Sequence, residues 1–148
     1  DLSPVMDMIQ HPNSLVGLGD GGAHMGVLTD ASAFTYMLTH WTRDRTRGKK
    51  VPVEWAIKRL TRDNAEAIGL LDRGLLAVGK KADINVIDYD KLAICPPEVL
   101  YDLPAGGKRM VQRTRGYEAT IVAGEVVYRN GEATNALPGR LVRGARAA

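Results

Sequence analysis

The order of apolar patterns along this chain predicts a mixed α/β fold, with the helices gathered first and the strands after them. Three observations carry that prediction. Phe34, Met37, Leu38 and Trp41 recur at i, i+3, i+4 and i+7, the spacing of one helix face. "ADINVID", residues 82–88, alternates as a half-buried strand does. Further on, Gly124-Glu125 and Asn130-Gly131 interrupt short β-branched runs, as hairpin turns do.

Taken in order, Ser3-Pro4 reads as an N-cap with proline at the first helical position, opening a helix to about Gln10. His11-Pro12-Asn13 breaks it. Ser14 to Leu18 reads as a short buried strand that ends in "GLGDGGAH", residues 17–24. Asp30 can cap the helix that carries Phe34 to Trp41. Arg43 to Lys50 is a basic connection, and Pro52 opens a helix in which Trp55, Ala56, Ile57 and Leu60 face one way. Thr61 caps a further turn or two, which Gly69 ends. In the strand at 82–88, Ile84, Val86 and Ile87 are assigned inward. Pro96-Pro97, Pro104 and Gly106-Gly107 mark a loop-rich middle. Residues 119–123 and 126–129 read as strands, and "LPGRLVRGARAA" as a surface tail. One strand among helices needs neighbours to pair with, and three or four strands are few for a sandwich. Both halves therefore read as ends of larger bodies, with a boundary near residue 70: a domain part at 1–70 and another at 71–148.

At 148 residues, 45% apolar and 25% charged, the composition is that of a globular domain. A net charge of +3 is too small to argue for nucleic acid, and basic residues are not interleaved with aromatics. No apolar run approaches the ~18 residues of a membrane span. The lone Cys95 offers neither an internal disulfide nor a zinc knuckle; it reads as a small buried hydrophobe and fits a reducing, cytoplasmic setting.

Two glycine patterns resemble phosphate cradles. Gly17 to Gly22 matches G-x-G-x-x-G, but Asp20 would set a negative charge beside a pyrophosphate, and the next helix begins too late. Gly74 to Lys81 approximates a Walker loop without its Ser or Thr, and it precedes a strand rather than a helix. Asp20 has two other readings. A carboxylate between glycines at the end of a strand can bind a divalent metal or carry a proton. It can equally cap a glycine-rich turn. His11, His24 and His40 make no metal-binding spacing; His40 reads as structural and His11 as exposed.

"GLGDGGAH", then "TDASAFTYMLTHWTRDR", "GLLAVGKKADINVID" and "DLPAGGKRMVQRTRGYEATIVAGEVVYRNGEATNALPGRLVR" together resemble the C-terminal part of the amidohydrolase superfamily. The resemblance is strongest to its N-acyl-D-amino-acid deacylase (D-aminoacylase) branch. It implies the last strand and closing helices of a (β/α)₈ TIM-like barrel at 1–70, and strands of a small β-sandwich at 71–148. It also implies zinc, one or two ions, with Asp20 at the metal centre moving a proton from water to the amine leaving group. His24 is a candidate substrate contact. The expected substrate is an N-acyl amino acid, with no nucleic-acid or membrane partner, and a homo-oligomer is compatible. The remaining ligands would lie in a missing N-terminal portion, in cis or as a second chain, so the isolated chain is expected to be inactive. The competing readings are another amide or ring hydrolase of the same superfamily, and a non-catalytic module whose basic loops contact an acidic partner.

Overall fold

A computed structural model describes residues 1–17, 19, 26 and 30–143. Helix α1 spans Ser3–Gln10, followed by a 3₁₀ turn at Asp30–Ser32, α2 at Ala33–Thr39 and a π-helical turn at His40–Asp44. Helices α3 (Val53–Leu60) and α4 (Arg62–Ala67) complete the helical part. Strands follow: β1 Ile84–Ile87, β2 Ala93–Leu103, β3 Gly107–Arg115, β4 Tyr117–Val122, β5 Glu125–Arg129 and β6 Glu132–Ala133. They form an antiparallel sheet of order β1-β4-β5-β6 and a separate antiparallel hairpin, β2-β3.

The predicted segregation of helices and strands holds, and several local expectations are corrected. Leu2, not Ser3, is the N-cap residue of α1, and the Asp1 carboxylate accepts the Ser3 amide at 3.0 Å. Ser14 to Gly17 form no strand: the carbonyls of Ser14 and Val16 accept hydrogen bonds from side chains instead. Within the helix periodicity Met37, Leu38 and Trp41 are buried while Phe34 remains 42% exposed. In α3 it is Arg59, not Ile57, that joins Ala56 in the buried set. Thr61 is the N-cap residue of α4, as expected, but its side chain makes no cap bond; its hydroxyl bonds back to the Ile57 carbonyl at 2.7 Å. In β1 a register shift between Val86 and Ile87 breaks the alternation. A bulge reverses side-chain parity, so Ile87 packs on the core while Val86 stays exposed.

The largest departure is the stretch read as loop, which is the longest hairpin of the chain. Pro96 and Pro97 sit inside β2. Proline cannot donate to a ladder and is confined to edges, but in a two-stranded hairpin each strand has a free edge. The Asn130-Gly131 turn forms as predicted, with φ of 50° and 85° leading into β6.

The core gathers Met6, Met37, Leu38, Trp41, Val51 and Ala56 from the helical part with Leu92 from the strand part. Gly116 makes that junction possible. Its φ is +95°, and a Cβ there would lie 2.6 Å from Leu92 Cα and 3.0 Å from the Asp88 carbonyl oxygen. Only a residue without a side chain fits so close to backbone. Its own carbonyl accepts the Asp88 amide at 2.8 Å.

Candidate functional site

The segment leading into the glycine loop is held by two side chains from the α3–α4 pair. Arg59 Nη2 donates to the carbonyls of Ile9 (3.3 Å), His11 (3.4 Å) and Ser14. Asn64 Nδ2 donates to the Val16 carbonyl at 2.7 Å and, more loosely, to Leu60 at 3.3 Å. The backbone that sheet pairing leaves unsatisfied is thus satisfied from the side. Arg59 is itself placed: Nη1 meets Asp63 at 3.2 Å one helical turn on, and the guanidinium lies over the Trp55 ring at 5.6 Å. Lys58 reaches the other Asp63 oxygen at 2.6 Å, and this ammonium, ahead of Arg59, holds the Asp63 pKa below its ordinary value. Gly17 leaves room for the contact, since a Cβ there would stand 3.3 Å from Asn64 Nδ2.

The β2-β3 hairpin and β4 meet the helical part at the start of α2. Ser32 Oγ donates to Gln112 Oε1 at 2.5 Å, and the hydroxyls of Thr35 and Tyr117 are 2.9 Å apart. A Cβ on Gly26 would come within 3.8 Å of Lys108 Cε. The predicted site residues Asp20 and His24 lie outside the described residues. Sequence reasoning missed Arg59 and Asn64; the available signal was a polar series, Arg59, Asp63 and Asn64, running on from a helix face begun by Trp55 and Ala56.

The Amidohydrolase family profile matches residues 1–128, a span that includes the glycine loop, its clamp and most of the sheet. The chain belongs to the amidohydrolase family. It is 30% identical over 117 residues to a dihydroorotase of Lactobacillus acidophilus, which covers 76% of this chain and 26% of that protein. It is 28% identical over 138 residues to a 5-methylthioadenosine/S-adenosylhomocysteine deaminase of Pelotomaculum thermopropionicum, covering 90% of this chain and 30% of that protein. The chain therefore spans less than a third of the length of either relative. No solved structure matches it.

The amidohydrolase chain places its other flagged residues in structural roles. His40 stacks on Tyr36 at 4.7 Å and meets Trp41 edge-on, and His11 is exposed. Cys95 is half-buried in β2 rather than enclosed. The basic connection is not a solvated surface at its start. Arg43 donates to the carbonyls of Tyr89, Asp90 (3.3 Å) and Leu92 (2.8 Å), tying the π-helical turn to the strand part. Arg45, 4% exposed, lies over the Trp41 ring at 4.8 Å and donates to Arg47 and Lys49 carbonyls. In the basic run from Lys108 to Arg115, Arg109 pairs with Asp102 at 2.6 Å and Arg113 with Glu98 at 2.8 Å. Gly74 to Lys81 is a turn region that enters β1, as expected of a false Walker loop.

Among the described residues no group of three His, Cys, Asp or Glu could hold a metal ion. The carboxylates with displaced pKa values, Asp44, Asp63, Asp72, Asp88 and Asp102, are each held low by a cation, chiefly Arg43, Lys58, Arg73, Lys91 and Arg109 respectively. Such carboxylates are ion-pair members, unlike a general acid, whose pKa is raised. A groove of about 530 Å³ is lined by Asp88, Lys91, Arg115, Tyr117, Tyr128 and other residues of the strand part, none of them a clamp residue. No described helix is long and apolar enough to cross a membrane.

Proposed function

We propose that this chain is the C-terminal part of a zinc-dependent hydrolase that cleaves the amide bond of N-acyl-D-amino acids. The observation that carries the reading is the amidohydrolase match running through the glycine loop, where Asp20 is the carboxylate. In this reading 1–70 supplies the closing helices of the barrel and 71–148 strands of the companion β-sandwich; Ser14 to Gly17, which form no strand here, take the place of the last barrel strand only beside strands supplied by the rest of the enzyme. The change from helices to antiparallel strands between Ala67 and Ile84 supports that division. The rest of the enzyme, in cis or as a second chain, completes the site. A small-molecule substrate and a cytoplasmic setting belong to the same proposal.

Amide hydrolysis requires water to add to the carbonyl carbon, the C–N bond to break, and the nitrogen to leave protonated. Asp20 is proposed to take the proton of the attacking water and deliver it to that nitrogen, with His24 touching the substrate. The described residues do not by themselves fit a metal. Zinc, with Asp20 among its ligands, belongs to the proposal through the sequence resemblance alone.

The names of the two relatives favour a second reading, in which the same site opens a ring or removes an amine rather than cleaving an open-chain amide. The anchoring of Arg43 and Arg45 on carbonyls and Trp41 counts against the binding-module alternative. The intact mass of the native polypeptide tests the first step. A mass several times the 16.1 kDa of this chain is expected, followed by zinc content and turnover of N-acetyl-D-amino acids that Asp20→Asn abolishes. Full turnover by residues 1–148 alone would overturn the proposal.

A further inference from the structure

The carbonyls of Ile9, at the end of α1, and of His11, Ser14 and Val16 after it all accept from two side chains, Arg59 and Asn64, and the His11 carbonyl also takes the Ser14 amide at 3.0 Å. Two side chains spending their donors on a segment some fifty residues distant is a costly way to fix surface backbone. It is an apt way to fix backbone that must present a group accurately. Val16 stands four residues before Asp20, at most about 14 Å of extended chain.

We propose that Arg59 and Asn64 are positioning residues, holding the segment Ile9 to Val16 from which the sequence runs on to Asp20. The proposal rests on the reading of Asp20 as the proton carrier. Asn64 is the sharper half of the device. Its amide bridges the Val16 carbonyl and the end of α3, because the same Nδ2 faces Val16 at 2.7 Å and Leu60 at 3.3 Å. Gly17 matches it, as the missing Cβ keeps the amide's approach open. Arg59 sets the approach further upstream, with Asp63 and Trp55 fixing its plane. Displacing a reacting group by about 1 Å costs on the order of 100-fold in rate, so small errors in this backbone are felt in turnover.

Asn64→Asp keeps the side chain's shape and removes the donor toward Val16. Hydrogen exchange in peptides covering residues 12–19 is expected to quicken about ten-fold in this variant, with strands β4 and β5 unchanged. In the native-length enzyme, kcat for an N-acetyl-D-amino acid is expected to fall about 10- to 100-fold with KM within about two-fold. Arg43→Ala, which cuts a comparable arginine anchor on the strand side, is expected to keep kcat within about two-fold. Gly17→Ala presses on the same contact from the other partner and is expected to give a smaller loss in the same direction, which covers a failure of Asn64→Asp to fold. Unchanged exchange, or unchanged kcat beside an inactive Asp20→Asn, would overturn the positioning role while leaving the hydrolase reading standing. Full turnover by Asp20→Asn would instead overturn the hydrolase reading, and the exchange result alone would then decide the clamp.

Discussion

The helical and strand parts of this amidohydrolase chain are stabilised in different ways. Met6, Met37, Leu38, Trp41, Val51 and Ala56 are all buried, so the helices share a closed core. The strand part adds just Leu92 to it, helped by half-buried Ile87 and Tyr117. Val86, Val99, Tyr101 and Tyr128 are between 42% and 71% exposed on strands that have no packed layer over them among the described residues. A sheet with one uncovered face depends on its junction more than on its own packing. The junction includes Leu92 beneath Gly116, the Thr35–Tyr117 and Thr42–Tyr89 hydroxyl pairs, Ser32 on Gln112, and Arg43 on three carbonyls.

The sharpest way to break the comparison is at Gly116. Gly116→Ala must relieve both a left-handed backbone and a Cβ 2.6 Å from Leu92 Cα, and backbone cannot give way as a side-chain tip does. We expect a loss of about 3–5 kcal/mol, combining strain with overpacking. Chemical denaturation should show both parts melting together. Separate melting, with the helical part unperturbed, would show that the junction does not couple them. Leu92→Ala, at a fully buried position, should cost about 2–4 kcal/mol. Val86→Ala on the open face should cost under about 0.5 kcal/mol.

The same contrast explains what could be read from the sequence. Met37, Leu38 and Trp41 announced their helix because a closed core imposes a strict 3.6-residue period. Asn130-Gly131 announced its turn through the φ > 0 preference of both residues. The β2-β3 hairpin was hidden because its free edges tolerate Pro96 and Pro97, residues that argue against a strand wherever both edges are paired. Ser14 to Gly17 looked like a buried strand since apolar content does not say what takes the carbonyls; Arg59 and Asn64 do so from about fifty residues away. For the candidate site, the sequence offers Asp20 and its glycines as an expectation, and Arg59 and Asn64 were not visible in it. A buried arginine on an amphipathic helix looks the same as a solvated one until the tertiary partners are known.

Arg43→Ala should cost about 1–3 kcal/mol, because it removes charged donors from carbonyls at the edge of the junction. The loss should appear as earlier melting rather than as altered exchange in residues 12–19. An effect below about 0.5 kcal/mol would assign the coupling to Leu92 and Gly116 alone.

The smallest effect concerns acid. Asp63, 13% exposed at its side chain, is paired with Lys58 and Arg59, and its pKa is lowered on folding, first by the Lys58 hydrogen bond. The unfolded chain therefore binds more protons than the native state near and below the ordinary carboxylate value of about 3.9, and stability rises with pH there. The contribution of Asp63 is complete above that value and is lost as pH falls through the lower, folded one. Between pH 5 and pH 3 the melting temperature of Asp63→Asn should fall less than that of the parent chain. Because Lys58 is more than half exposed, water and salt weaken its share, and 0.5 M NaCl should narrow the gap between the two proteins. Parallel acid curves for the two proteins would mean that Arg59 keeps its place without Asp63, held by Trp55 and by the carbonyls it clamps.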